Sequence, residues 1–472
     1  MRFPARPPPF DLTTLAPEEV ARILSSFQPT LPDGRYLHWD DLRNRPPPDG
    51  LTTEKYWLAQ AWARRSRSVP VAGFQSEGAG LFWFTRLDEI ERATHQLDRR
   101  DATKEYLQSI GDAAAQQQYR IDQIIEEAIN SSVLEGAKLT TRAQAKAMIR
   151  EGAAPRSHGD RMVMNNYKAM EMLLRTAKAP LTVEDIFEIH SILGTGALDT
   201  TDGAGRFRRA DENVRVEDSV TGEVWFVPPP AAELPDRIAR MLEFANTDDP
   251  TPFIHPLIRA IILHFWLAYL HPFVDGNGRM ARALFYWQML RSGYDFAQYL
   301  SISGPIDRSR RAYYQAFVFT ETDGGDLTYF LLNQLGVLRR ATSDLAAHLD
   351  ERAKRFKTLS AALANAEKLN HRQQAVLMYL VRKPHQPVTV KGHATSHGVT
   401  YLTARKDLQV LQREGYLRSV RVGKTDRYLP SEHLVNRIVA AGHAEPGLVE
   451  LAARLSSGEV SAFSIVGPGT KA

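Results

Sequence analysis

Residues 271–282 bring together side chains that could bind and activate a nucleotide. The segment reads His-Pro-Phe-Val-Asp-Gly-Asn-Gly-Arg-Met-Ala-Arg. His271 is the only side chain in it whose unperturbed pKa lies near neutrality, which suits a general base. Asp275 is a hard carboxylate, the kind of ligand that holds Mg²⁺ beside a di- or triphosphate. The segment therefore predicts a base and a metal ligand close together.

The second half of this motif segment (residues 271–282) has the features of a phosphate site. Gly276, Asn277 and Gly278 can turn successive backbone N–H groups toward one point at a helix N-terminus, where the helix dipole favours an anion. Arg279 and Arg282 are three residues apart and fall on one face of that helix, where they can contact further phosphate oxygens. Together these residues predict a site for nucleotide phosphates, with a base for an incoming nucleophile.

Mostly helical elements must position the motif segment. The apolar stretch 260–270 runs directly into His271 and predicts a helix buried in the protein. It is about half as long as the ~20 residues of a membrane span, so we do not expect it to cross a membrane. Apolar spacing or capping signals predict the other elements. These are helices over 118–135 and from Thr182, a β-hairpin of 213–216 and 223–227, a closing helix over 326–341 and a helical connector over 342–369.

The motif segment resembles the signature of the Fic domain family, His-Pro-Phe-x-[Asp/Glu]-Gly-Asn-Gly-Arg-x-x-Arg, at every fixed position. The resemblance covers roughly residues 112–345. It extends to His255-Pro256 before the preceding helix, to Gly205-Arg-Phe-Arg208 before the hairpin, and to Asp326-Leu-Thr near the end. The resemblance implies a helical core with one hairpin, called the flap.

The resemblance also implies an activity, the Mg²⁺-dependent transfer of AMP from ATP to a Ser, Thr or Tyr hydroxyl of a protein. In that reaction His271 would deprotonate the hydroxyl and Asp275 would hold Mg²⁺. The Gly-Asn-Gly turn at 276–278 would bind the α- and β-phosphates, and Arg279 and Arg282 the β- and γ-phosphates. Members that phosphorylate instead carry Lys at the position of Gly278, whereas transfer of phosphocholine or UMP stays open.

Two further groups have roles that the resemblance implies. Flap residues near Val224, Trp225 and Phe226 would clamp the target and the nucleotide by adding a strand to it. Tyr313 or Tyr314 would lie against the nucleoside, although paired tyrosines on a helix are more often core residues.

An upstream stretch, Ser131-Ser-Val-Leu-Glu135-Gly136, resembles the inhibitory motif of the same family. In that arrangement the Glu135 carboxylate pairs with Arg282 and takes the space that the γ-phosphate needs. The alternative is structural, with Glu135 ending a helix and Gly136 as its C-terminal glycine. Some relatives also use this glutamate to remove AMP, so the reaction could run in both directions.

The region 370–430 changes character. It holds eleven Lys/Arg against three Asp/Glu, and its order of three helices and a hairpin is that of a winged helix-turn-helix. DNA binding and protein docking through 370–436 are both open. Its basic residues are Arg405, Lys406 and Arg413 on the third helix, and Arg418, Arg421, Lys424 and Arg427 on the hairpin.

Composition limits the class of protein. The chain has 472 residues, 43% of them hydrophobic and 24% charged, with a net charge of +4 and no cysteine, which excludes disulfides, thiolate metal sites and cysteine nucleophiles. No P-loop and no His-Glu-x-x-His occur. No signal-peptide core is found, so we expect a cytoplasmic protein with no membrane span.

The sequence as a whole predicts a mainly α fold with a Fic core. The expected domains are an N-terminal extension (1–111), a Fic domain with inhibitory helix (112–345), a connector (346–369), a winged helix (370–436) and a tail (437–472). The predicted function is autoinhibited protein AMP transfer, with a homodimer as one expected state. The alternative is a DNA-binding transcription regulator whose Fic domain only senses a nucleotide.

Overall fold

The chain forms two compact units in a computed structural model. One comprises residues 1–101, 126–140 and 148–341, and the other comprises 102–125, 141–147 and 342–472. The structure describes residues 3–13, 15–48, 50–77, 80–99, 113–138, 141–198, 202–217, 222–248, 251–364, 366, 368–382, 386–422 and 425–441. The predicted tail beyond 441 and Lys424 of the predicted hairpin lie outside these residues.

The structure is mainly helical. In chain order the described α-helices are α1 (Pro17–Ser26), α2 (Trp39–Leu42), α3 (Thr53–Arg65), α4 (Asp88–Arg99), α5 (Ala113–Leu134), α6 (Arg142–Glu151), α7 (His158–Thr176), α8 (Val183–Gly194), α9 (Leu234–Asn246), α10 (Pro256–Leu270), α11 (Asn277–Arg291), α12 (Ser303–Arg308), α13 (Arg310–Thr322), α14 (Thr328–Ala364), α15 (His371–Arg382), α16 (Val390–His397), α17 (Tyr401–Arg413) and α18 (Leu434–Ala441).

Three small antiparallel sheets accompany these helices within the described ranges. Two are hairpins, and the third has three strands in the order β5-β7-β6. The strands are β1 (Ser68–Ser76), β2 (Gly80–Thr85), β3 (Val216–Glu217), β4 (Val224–Phe226), β5 (Val388–Thr389), β6 (Leu417–Val422) and β7 (Thr425–Pro430).

Local signals in the sequence predicted most of these elements. Helix α8 begins as predicted, because Thr182 accepts from the Asp185 N–H while Asp185 accepts from the Thr182 N–H. The flap hairpin (β3 and β4) is shorter than predicted, with Val216 opposite Phe226. The closing helix predicted over 326–341 and the helical connector predicted over 342–369 form one continuous helix, α14, from Thr328 to Ala364.

The core of the first unit centres on α10. This helix is apolar on all sides, and 13 of its 15 residues are buried, as expected for a helix surrounded by protein. The β1–β2 hairpin packs on it through Phe74, whose ring stacks on Trp266 with centroids 4.2 Å apart. Helix α11 also packs against α10. The two helices that flank the motif segment are therefore held inside the core.

The N-terminal residues join this unit through a buried polar cluster. Arg64 donates to the Tyr329 hydroxyl at 2.9 Å and to the Leu37 carbonyl at 2.8 Å. Asp326, at the start of α14, accepts from the Tyr36 hydroxyl and from the Thr328 N–H. Burial raises the pKa of Asp326 to about 6. The Asp-Leu-Thr landmark of the sequence thus caps a helix and contacts the N-terminal region.

The second unit contains the predicted order of three helices and a hairpin. Helices α16 and α17 are joined by a three-residue turn, in which Gly398 has a left-handed conformation with φ 62°. Strand β7 pairs with both β5 and β6. The elements agree with the sequence prediction, and their classification as a winged helix-turn-helix stays a prediction.

Across the residues that the structure describes, we find no helix with both the length and the apolarity needed to cross a bilayer.

Candidate active site

His271 ends helix α10 in an unusual conformation. Its φ of 46° and ψ of 55° are left-handed. Among the residues that the structure describes, no other residue except glycine has a positive φ. Its N–H still donates to the Leu267 carbonyl at 3.0 Å. Pro272 follows and disfavours continuation of the helix. The left-handed turn therefore directs the chain away from the helix axis and into the motif segment.

The imidazole of His271 is prepared to act as a base. Its Nδ1 lies 3.0 Å from the Ala268 carbonyl oxygen. A carbonyl can only accept, so Nδ1 carries the proton and Nε2 keeps its lone pair. Burial lowers the pKa of His271 below its usual value, despite the hydrogen bond to Ala268. The ring is therefore neutral at pH 7, with Nε2 able to accept a proton.

Arg208 holds His271 in this conformation. Its Nε donates to the His271 carbonyl at 2.9 Å, and its Nη2 donates to the carbonyl of Pro229 beyond the flap. Its own N–H donates to the Pro272 carbonyl at 2.8 Å. The sequence marked Arg208 as a family landmark without a role. The structure makes it a bridge between the end of the flap and the backbone at the proposed base.

Asn277 fixes the shape of the turn at the start of α11. Its side-chain oxygen accepts from the Phe273 N–H at 3.0 Å, and its amide donates to the Phe273 carbonyl at 2.8 Å. Gly276 precedes it with φ 83°, a conformation that glycine adopts without strain. The Asn277 side chain is thus turned into the loop. An anion at this helix start could therefore bind the backbone N–H groups of Asn277 and Gly278, but not the Asn277 side chain.

His190 supports the same turn from α8. Its Nδ1 accepts from the Gly205 N–H at 3.1 Å, so its Nε2 carries the proton and donates to the Asp275 carbonyl at 2.9 Å. The ring stacks on Phe273 with centroids 3.6 Å apart. Burial lowers the pKa of His190 to about 4. A neutral histidine thus ties the motif segment to the loop before the flap.

The two motif arginines have different partners in the structure. Arg279 is 1% exposed and donates to the Leu193 carbonyl at 3.2 Å. It also lies 3.3 Å from an Asp275 oxygen. Its guanidinium therefore braces the turn against α8. A direct contact with phosphate stays a prediction for Arg279.

Asp275 is the residue that could hold a metal ion. Its carboxylate is 40% exposed, whereas its Arg279 partner is buried. Among the described residues there is no group of three or more His, Cys, Asp or Glu side chains that could form a complete protein cage. One exposed carboxylate suits Mg²⁺, which commonly keeps waters and binds through one or two carboxylates together with substrate phosphates. The donor set therefore fits Mg²⁺ bound together with a nucleotide.

Arg282 is buried and contacts Ser131 and Glu135, two residues of the predicted inhibitory motif. Its Nε donates to the Ser131 hydroxyl at 3.0 Å and its Nη2 to the Ser131 carbonyl at 3.1 Å. Its Nη1 lies 2.9 Å from an oxygen of Glu135. Burial alone would lower the pKa of Arg282, but the charge of Glu135 raises it. The expected ion pair between Glu135 and Arg282 is therefore present.

Glu135 also satisfies the structural interpretation that the sequence left open. Helix α5 ends at Leu134, and Gly136 follows with φ 86°. The Gly136 N–H donates to the Val133 carbonyl and the Ala137 N–H to the Ser132 carbonyl, the two bonds of a Schellman motif. This helix end directs Glu135 toward α11. A Cβ built on Gly278 would lie 2.1 Å from a Glu135 oxygen, so the carboxylate rests on the helix start.

A buried carboxylate anchors α5 to the core two turns before Glu135. Glu127 accepts from the Ser303 hydroxyl at 2.6 Å, the Ser303 N–H at 3.1 Å and the Ser301 hydroxyl at 2.8 Å. Burial raises the pKa of Glu127. The sequence gave no sign of this anchor, because its partners lie more than 170 residues away.

The aromatic side chains of the flap and the two tyrosines pack in part against the core, and their predicted roles stay predictions. Val224 is 39% exposed, but the ring of Phe226 packs on Tyr269 with centroids 5.0 Å apart. Trp225 lies near Tyr314, with ring centroids 6.2 Å apart. Tyr313 is 4% exposed, and its hydroxyl is 3.0 Å from Nε2 of His264. Tyr313 is therefore packed in the core, as paired tyrosines on a helix commonly are, and a contact of either tyrosine with a nucleoside stays a prediction.

Comparison with known proteins supports the resemblance drawn from the motif. Residues 180–289 match the sequence model of the Fic/DOC family, a range that includes His190, Arg208, the flap and the motif segment but not Glu135. Residues 180–289 are therefore similar to the Fic/DOC family. Proteins named "Protein adenylyltransferase Fic" from Drosophila willistoni and Drosophila virilis are 32% and 33% identical to it over 117 residues, which is 25% of this chain.

These relatives match only part of their own length. The chain spans about a fifth of the curated relatives, 21% and 22% for the two named above. Among solved structures, a Fic family protein from Desulfovibrio desulfuricans G20 is 21% identical with a TM-score of 0.46, over 74% of this chain and 97% of that one. Fic-1 from C. elegans is 18% identical with a TM-score of 0.45, over 66% of this chain and 81% of that one.

Proposed function

We propose that the protein transfers AMP from ATP to a Ser, Thr or Tyr hydroxyl of a protein, and that Glu135 restrains this reaction. The observation that carries the proposal is the position of Glu135, which pairs with Arg282 at 2.9 Å and rests on Gly278. An anion already lies where the motif would bind phosphate. Names of matched relatives that include "protein adenylyltransferase" support the same reaction class.

In the proposed reaction His271 acts on the incoming hydroxyl. Its Nε2 accepts the hydroxyl proton while the hydroxyl oxygen forms a bond to the α-phosphorus of ATP. The bond from that phosphorus to the oxygen bridging to the β-phosphate breaks, and pyrophosphate leaves with the electron pair. The backbone N–H groups at the start of α11 stabilise the charge on the phosphate oxygens. Mg²⁺ held by Asp275 would supply further neutralisation of that charge.

Restraint follows from competition between anions. A γ-phosphate that reaches Arg282 must displace the Glu135 carboxylate, because two negative groups cannot share one buried guanidinium without a large electrostatic cost. ATP that binds without displacing Glu135 lacks this contact and is not aligned for attack by the hydroxyl. Release of the carboxylate, by a partner or by substitution, is then the step that permits transfer.

Transfer of label from ATP tests the chemistry. The purified full chain is incubated with Mg²⁺, a cell extract as a source of targets, and ATP labelled on either the α- or the γ-phosphate. We expect label from the α-phosphate alone to enter protein, more strongly with Glu135→Gly than with wild type. The label should disappear when Glu135→Gly is combined with His271→Ala. Transfer of γ-label would indicate a kinase, and transfer independent of His271 would remove it as the base.

A charge-only variant tests the restraint. Glu135→Gln keeps the size of the side chain but removes the charge that opposes phosphate. The matched control is Glu188→Gln, an exposed glutamate on α8. We expect Glu135→Gln to raise the transfer rate and Glu188→Gln to leave it unchanged; equal rates for both would argue against competition between anions. Incubation of labelled protein without ATP then shows whether AMP is also removed.

A further inference from the structure

We propose that the second unit binds duplex DNA through a basic face formed by α17 and the β6–β7 hairpin. We define this basic face by its exposed cations, which are Arg405, Lys406 and Arg413 on the helix and Arg421 on the hairpin. Arg418 and Arg427 are exposed as well, but the strand register places them on the opposite face of the hairpin. Helices α16 and α17, with a three-residue glycine-containing turn, have the form of a helix-turn-helix. In that motif the second helix enters the major groove.

The acidic residue of α17 is turned away from this face. Asp407 is buried, and its carboxylate accepts from Arg372 at 2.8 Å, Asn370 at 3.0 Å and His393 at 3.3 Å. Burial alone would raise the pKa of Asp407, but the hydrogen bonds, that from Arg372 first, lower it. The carboxylate therefore stays charged and is neutralised inside the unit. The outward side of the helix keeps its positive charge.

The hairpin lies next to the same side of α17. The Gln412 amide donates to the Ser419 hydroxyl of β6 at 3.0 Å. Arg421 is two residues farther along that strand and therefore on the same face of the sheet as Ser419. Arg421 therefore adds a cation beside the basic helix, where it can contact the phosphate backbone next to the groove that the helix enters.

Two large exposed side chains stand at the start of α17. Tyr401 is 60% exposed and Leu402 is 76% exposed. The first turns of a recognition helix are the part that contacts base edges, where apolar groups can pack on the methyl group of thymine. Their exposure is consistent with a helix that becomes covered when it enters a groove.

Not all of the cations are equally available for phosphate. Arg413 has an oxygen of Glu414 at 3.6 Å, and Arg421 stands opposite Asp426 in the strand register. Arg405 and Lys406 are exposed on the helix itself. They are therefore the residues whose removal should weaken DNA binding most directly.

Fluorescence anisotropy with the full chain tests the proposal. The probe is a labelled duplex of mixed sequence and roughly 20 base pairs, two turns of DNA. We expect micromolar binding at about 50 mM salt that weakens steeply toward about 200 mM. Arg405→Ala combined with Lys406→Ala should weaken binding about tenfold or more. This double variant should also reduce the magnitude of the slope of log K against log salt concentration by about 2, because each phosphate that a cation no longer neutralises reduces that slope by ~0.9.

A matched pair of substitutions controls for net charge. Arg86→Ala combined with Lys168→Ala removes one exposed arginine and one exposed lysine from the first unit. This control should bind the duplex as wild type does. Both double variants should keep the wild-type melting temperature and AMP-transfer rate, which separates damage to the face from damage to the fold.

Three results would overturn the proposal. They are absence of duplex binding at low salt by the folded full chain, binding that does not depend on salt, and equal weakening in both double variants. If DNA binding is absent, the exposed Tyr401 and Leu402 would instead indicate a protein-docking face.

Discussion

Substitution of Arg208 by Lys should impair the proposed base without touching the nucleotide. The guanidinium of Arg208 donates to the backbone carbonyls of His271 and Pro229 at the same time. A lysine keeps the positive charge, but its single ammonium group cannot reproduce the planar fork that bridges two carbonyls. We therefore expect Arg208→Lys to keep only one of these two hydrogen bonds.

The size of the effect can be worked out from these hydrogen bonds. A hydrogen bond to a charged group contributes about 1.5–3 kcal/mol. The left-handed conformation of His271 itself costs roughly 1–2 kcal/mol. The free energy lost with one hydrogen bond is thus about as large as the free energy cost of the left-handed conformation. Without that hydrogen bond, His271 would leave this conformation much of the time. Each ~1.4 kcal/mol corresponds to a tenfold change, so kcat should fall about tenfold to hundredfold.

The assay measures AMP transfer with Glu135→Gly as the parent, so that the restraint is absent. Arg206→Lys is the matched control, because Arg206 pairs with Glu212 and Asp202 near the surface, where ion pairs contribute only about 0–1 kcal/mol. We expect Arg208→Lys to lower kcat while KM for ATP changes little, and Arg206→Lys to change neither. A kcat for Arg208→Lys equal to that of the control would refute the reasoning, as would an effect expressed only in KM.

Two further predictions concern buried groups around the site. His190→Asn should lower the free energy of unfolding at pH 7. The difference in free energy of unfolding between wild type and this variant should decrease by up to about 3 kcal/mol as the pH falls from 6.5 to about 4. The sign follows because His190 binds a proton in the unfolded chain before it does in the folded one; a constant gap in denaturant titrations would contradict it. Glu127→Gln should loosen α5 and raise the AMP-transfer rate severalfold, since a neutral amide cannot accept from both serines as strongly. An unchanged rate, with the expected decrease in melting temperature, would show that α5 is held without this anchor.

The sequence alone identified the elements whose causes are local. The motif segment is contiguous, so its glycines, its helix start and its base could be recognised together. The capping residues at Thr182 and the glycine at 136 act on neighbours within a few residues, and both helix ends lie where the sequence predicted them. The burial of α10 could also be predicted from its sequence, because a helix that is apolar on all sides is expected to be surrounded by protein.

Only the tertiary structure decided which partner each functional side chain has. Arg208 reaches His271 across 63 positions, and Arg282 reaches Ser131 across 151. The spacing of Arg279 and Arg282 placed them on one helix face, but packing against α8 buries the first and packing against α5 occupies the second. Likewise, composition made the region 370–430 basic, but the burial of Asp407 is what turns the acidic residue of α17 away from its exposed basic side. Periodicity fixes the direction of a side chain relative to its own helix, whereas its neighbour depends on contacts between distant segments that no local pattern records.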